Sequence, residues 1–126
     1  MKVFLVEDTP ADALLFSDAL SAAGIDVSHF KDGEVFCERL STLTEDSEIK
    51  VVLILDLVMP GMDGYEVIRE VGKAGLKIPT ILVTGQDPSY LKTFRLLTEA
   101  HGIPILADFK KPVKIADLVA AVRKAG

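Results

Sequence analysis

The chain has a single cysteine, Cys37, so no intrachain disulfide can form and the small stapled folds of secreted proteins are excluded. It has no uninterrupted apolar stretch of membrane length and no leader of charged, apolar and small residues. Neither a membrane span nor export is expected, and a reducing cytoplasm fits best. Positive charge is also short: 14 Lys and Arg stand against 19 Asp and Glu, for a formal charge of −5 and a pI near 5.0. A net-acidic chain is repelled by phosphate backbones and anionic lipid, so nucleic acids and membranes are poor partners. Internal repeats, linkers and low-complexity tracts are missing too. There remain 126 residues, 49% of them hydrophobic, enough for one compact domain over 1–126 with a real core.

Short apolar runs at Lys2–Val6, Ile25–Phe30, Val51–Leu55, Thr80–Val83 and Ile103–Phe109 are dense in Val, Ile, Leu and Phe, which suits strands buried on both faces. Between and after them, Ala11–Ala23, Val35–Leu43, Tyr65–Ala74, Ser89–Ala100 and Ile115–Ala125 space their apolar residues with helical period. Boundaries carry their own chemistry. Thr9–Pro10 and Asp87–Pro88 each place a capping side chain before a proline at the first helical position, and Gly24, Gly75 and Gly102 follow helices where a left-handed residue is wanted. Strands alternating with crossover helices pair in parallel, right-handed units. The expected fold is therefore α/β: a (βα)5, doubly wound, five-stranded parallel sheet of flavodoxin-like order 2-1-3-4-5.

In such sheets, ligands sit outside the carboxyl ends of the strands, where the strand order reverses. Those ends carry Glu7 and Asp8, Asp56, Thr84 and Lys111. Each residue alone has an ordinary structural role: an acid after a strand is commonly a cap, Thr84–Gly85 could be a plain turn, and Lys111–Pro112 could simply start a helix. Their coincidence at one edge is different. Three carboxylates brought together at a low-dielectric edge repel, so the cluster needs a cation, and Mg²⁺ is the natural candidate for oxygen ligands.

These residues resemble the receiver domains of response regulators in two-component signalling, over essentially the whole chain. The likeness rests on VEDTP after strand 1, LILDLVMPGMDGYEV from strand 3 into helix 3, ILVTGQD at strand 4 and KKPV after strand 5. It implies a phosphoacceptor at Asp56, with Mg²⁺ bound by Glu7, Asp8, Asp56 and the backbone carbonyl of Val58. It further implies that Thr84 and Lys111 hold phosphoryl oxygens, with Lys111–Pro112 in the cis form. The implied partners are a sensor histidine kinase or histidine phosphotransfer protein upstream, and an output domain or partner protein downstream. Asp63 is expected to cap helix 3 rather than bind metal. Many members carry Phe or Tyr three positions before the final lysine; here that position is Asp108, and Phe109 is one place later.

Strand parity puts Ala107, Phe109 and Lys111 on one side of strand 5 and Leu106, Asp108 and Lys110 on the other. Phe109 is therefore expected in the core, and Asp108 on the surface of helix 4, strand 5 and helix 5. His29 and His101 are too far apart in the ordering to share a metal, and Cys37 reads as a small filler. Two other functional classes compete: a degenerate receiver acting as an unphosphorylated interaction module, and an aspartyl phosphatase of the haloacid dehalogenase kind. The second needs an aspartate two residues after the nucleophile, where this chain has Val58.

Overall fold

The structure, a computed structural model, describes residues 1–43, 50–57, 62–85 and 89–125. Strands and helices alternate along the chain: β1 (Lys2–Val6), α1 (Pro10–Ala22), β2 (Asp26–Phe30), α2 (Gly33–Leu43), β3 (Val51–Asp56), α3 (Gly64–Lys73), β4 (Thr80–Thr84), α4 (Ser89–Ala100), β5 (Ile105–Lys110) and α5 (Ile115–Arg123). All neighbouring strands are parallel, in the order β2-β1-β3-β4-β5 expected from the alternation.

Successive residues of a strand face opposite sides of the sheet, so helices on both sides demand apolar side chains at every central position. In β1, Phe4 and Val6 pack with Phe36, Leu40, Val67, Ile68 and Phe94 of α2, α3 and α4. Val3 and Leu5 pack on the other side with Phe16 and Leu20 of α1 and Leu118 and Val122 of α5. Burying one such Leu or Phe contributes about 1.5–3 kcal/mol. The edge strands depart from the expectation of burial on both faces: β2 and β5 contain no fully buried residue, because each has a neighbour on one side only.

Strand 5 begins at Ile105 rather than Ile103. Pro104 has no N–H to give the ladder, and its carbonyl instead accepts from Thr80 N–H at 2.9 Å. Ile105 pairs with Thr80 but Ala107 with Ile81, so Leu106 is an extra, bulged residue. Parity therefore holds for Ala107 and Phe109, which pack toward α1 and α5, but fails for Leu106, which joins them.

Gly24, Gly75 and Gly102 all take positive φ, as helix termination requires. Gly64 answers a different need, since a Cβ there would meet the Phe94 ring at 2.9 Å and Leu57 Cα at 3.0 Å. Asp63 caps α3, its Oδ1 accepting from Glu66 N–H at 3.2 Å. Thr9 occupies the N-cap position of α1, but its side chain makes no capping bond; its own N–H donates to Glu7 Oε2 at 3.2 Å. The expected Asp87–Pro88 cap and the carbonyl of Val58 lie outside the described residues.

Candidate functional site

The carboxyl ends of four parallel strands deliver the side chains. Glu7 follows β1, Asp56 ends β3, Thr84 ends β4 and Lys111 follows β5, joined to Pro112 by a cis peptide bond. Backbone hydrogen bonds hold these ends in place: Glu7 N–H donates to Phe30 O at 3.1 Å, Leu57 N–H to Val83 O at 2.9 Å and Lys111 N–H to Thr84 O at 2.8 Å. His29 adds a side-chain bond, Nε2 lying 2.8 Å from the Glu7 carbonyl, so that nitrogen carries the proton.

Among the described residues, Glu7, Asp8 and Asp56 each offer an oxygen within 4.8 Å of the others, which brings together the acidic set predicted from the sequence. Glu7 and Asp56 are buried, at 1% and 4% exposure, as is Thr84. Burial, then the charge of Asp56, raises the Asp8 pKa above its ordinary value. The Lys111 ammonium stands 2.9 Å from Glu7 Oε1, 2.9 Å from Asp12 Oδ2 and 3.3 Å from Asp56 Oδ2. Its own burial favours losing the proton. The paired Asp12 and Glu7 and the charge of Asp56 outweigh that and hold its pKa above the ordinary lysine value.

Three carboxylates thus share one ammonium, and Asp8 adds a fourth acid to the cluster. Glu7 Oε1 is buried, and among the described residues its partner is the Lys111 ammonium of the ion pair. An all-oxygen donor set with a buried carboxylate and more negative charge than one ammonium balances fits a hard divalent cation such as Mg²⁺.

Asp63 stays with its cap, outside this cluster. Cys37 lies half-buried with Sγ 3.5 Å from Met62 Sδ, and burial, then the charges of Glu70 and Glu66, pushes its thiol up to about 11, which favours the protonated form at neutral pH. Sequence reading missed two residues. Asp12 lies in the first turn of α1, the helix that starts just after Glu7 and Asp8, so its nearness to that acidic pair was the available signal. The hydrogen bond of His29 to the Glu7 carbonyl had no sequence signal, because it joins neighbouring strands.

Asp108, on the α4 side of β5, pairs with Arg95 of α4: Arg95 Nε donates to Asp108 Oδ2 at 2.7 Å, and Nη2 reaches the same oxygen. Phe109, on the opposite side, is partly buried against the α1 and α5 core, as parity predicted.

The response regulator receiver domain family matches residues 3–123. The transcriptional regulatory protein TrcR of Mycobacterium tuberculosis is 30% identical over 98% of this chain and 44% of its own length. The DNA-binding transcriptional regulator NtrC of Escherichia coli is 27% identical over 98% of this chain and 24% of its own length. The chain thus spans less than half of either relative. Among solved structures, a response regulator from Colwellia psychrerythraea aligns at TM-score 0.78 and 27% identity, covering 98% of this chain and 95% of that one. Vibrio cholerae chemotaxis protein CheY4 shares the fold at TM-score 0.75 and 24% identity, over 99% and 98% of the two chains. Among the described residues, no helix is long and apolar enough to cross a membrane. Family match, strand order and acidic cluster agree, and this chain belongs to the response regulator receiver domains of two-component systems.

Proposed function

We propose that this chain is a single receiver domain over 1–126 that takes a phosphoryl group on Asp56 from a sensor histidine kinase or a histidine phosphotransfer protein. It signals to an output domain or partner protein through the surface of α4, β5 and α5, and works in the cytoplasm beside its donor. One observation carries this reading: Asp56 belongs at once to the acidic cluster with Glu7 and Asp8 and to the ion pair with Lys111.

In the step that follows, an Asp56 carboxylate oxygen attacks the phosphorus of a phosphohistidine. The new P–O bond forms as the P–N bond breaks, and the imidazole leaves with the bonding pair. Lys111 and Thr84 are suited to hold the phosphoryl oxygens by charge-assisted and hydroxyl hydrogen bonds. Mg²⁺, held by Glu7, Asp8, Asp56 and the Val58 carbonyl, supplies charge neutralisation when bound. The domain is a signalling element, and its catalysis is limited to its own phosphorylation and dephosphorylation.

Intact-mass spectrometry after incubation with acetyl phosphate and Mg²⁺ is expected to show one added phosphoryl group, lost in Asp56→Asn and suppressed by a chelator. An undiminished adduct on Asp56→Asn would sink the assignment. No adduct on the wild type would instead favour an unphosphorylated interaction module.

A further inference from the structure

Lys111 poses a problem for the site just described. Its ammonium lies against Glu7 Oε1 and Asp56 Oδ2, and both residues belong to the set able to hold a metal. A divalent cation entering that set competes with the lysine for the same carboxylates and repels it at short range. The lysine must give up much of its contact with Glu7 and Asp56, yet it is largely buried, with 19% of its side chain exposed, so it cannot simply turn into water. A buried ammonium left unpaired is costly.

The third partner resolves the conflict. Asp12 Oδ2 stands 2.9 Å from Lys111 Nζ, and Asp12 is no member of the metal-holding set. Pro10 starts α1 and places Asp12 in its first turn, where the helix dipole favours a negative charge. Asp12 is thus placed to stay in contact with Lys111 while the other two carboxylates are claimed.

We propose that Asp12 is a positioning residue: it holds Lys111 as the cation takes Glu7 and Asp56, and keeps the ammonium beside Asp56, where a phosphoryl oxygen would need it. Without Asp12 the lysine leans harder on Glu7 and Asp56 and opposes the cation. This inference rests on the reading that Glu7, Asp8 and Asp56 hold the metal.

Calorimetric titration of the unphosphorylated 126-residue chain with Mg²⁺ tests it, using wild type, Asp12→Asn, Asp12→Glu, Lys111→Ala, Asp12→Asn with Lys111→Ala, and Asp56→Asn. Asp12→Asn is expected to weaken Mg²⁺ binding about 3- to 10-fold, a coupling typical of contacting charges. Asp12→Glu should recover most of that loss. In the Lys111→Ala background, the effect of Asp12→Asn should shrink to less than about twofold, because the residue acts through the lysine.

An equal loss in both backgrounds would show that Asp12 merely adds negative charge, and no loss in either would show that it does nothing; each overturns the proposal. Wild-type binding that survives Asp56→Asn undiminished would overturn the metal site itself. Binding abolished by Asp56→Asn but indifferent to Asp12 removes only the role given to Asp12.

Discussion

Two clusters of opposite charge lie at β5, one on each side, and they behave differently. At its carboxyl end, Lys111 is sunk among Glu7, Asp12 and Asp56, where the carboxylates outnumber the ammonium. On the α4 side, Arg95 and Asp108 pair one to one, with 52% and 27% of their side chains exposed. The buried cluster is unbalanced and poorly screened, so its charges bias which ions and groups can enter. The exposed pair is balanced and screened, so it lends geometry to a surface and little stability. Burial and stoichiometry separate the two sites.

The comparison breaks most readily at Lys111. Lys111→Ala leaves Glu7 and Asp56 buried without their cation, and is expected to cost roughly 3 kcal/mol in metal-free protein, typical of a severed buried pair. Urea unfolding with and without Mg²⁺ measures it, and saturating Mg²⁺ should recover much of the loss. The sign in pH follows from the raised lysine pKa. The stabilisation is fully present below the ordinary value of 10.5 and fades only as pH rises through the higher folded value. A variant as stable as wild type without metal would mean that the carboxylates do not depend on the lysine.

Asp8→Asn should act in the opposite direction. The folded pKa of Asp8 is raised above 3.8, so its ionised form disfavours the fold; that penalty is complete above the folded pKa and disappears as pH falls through it toward 3.8. Metal-free Asp8→Asn is accordingly expected to melt higher than wild type at neutral pH, with the gap closing on acidification and Mg²⁺ giving the variant less protection. Thermal melts across pH decide this. A lower melting temperature for the variant at neutral pH would contradict the excess of negative charge.

The smallest effect belongs to the exposed pair. Arg95→Ala should cost less than about 1 kcal/mol, and the loss should shrink further at high salt. Denaturant titrations at low and high ionic strength provide the check; a salt-insensitive loss would place this pair with the buried cluster.

The sequence by itself determined the alternation of strands and helices, the sheet order, the residues at the strand ends and the glycines that stop α1, α3 and α4. Each of these follows from local periodicity, from backbone conformations open to glycine, or from the handedness of crossovers, and none needs a distant partner. Only the tertiary structure decided the rest. Asp12 and Lys111 meet because α1 and the end of β5 converge over the sheet, and Arg95 finds Asp108 from a helix 13 positions away in sequence. Leu106 changes sides because Pro104 and the bulge delay the ladder, and the Thr9 side chain makes no cap while its N–H donates to Glu7 Oε2. Spacing along a chain records which face a residue occupies, but the charge it meets there is set by another element, and that pairing exists only once the elements pack.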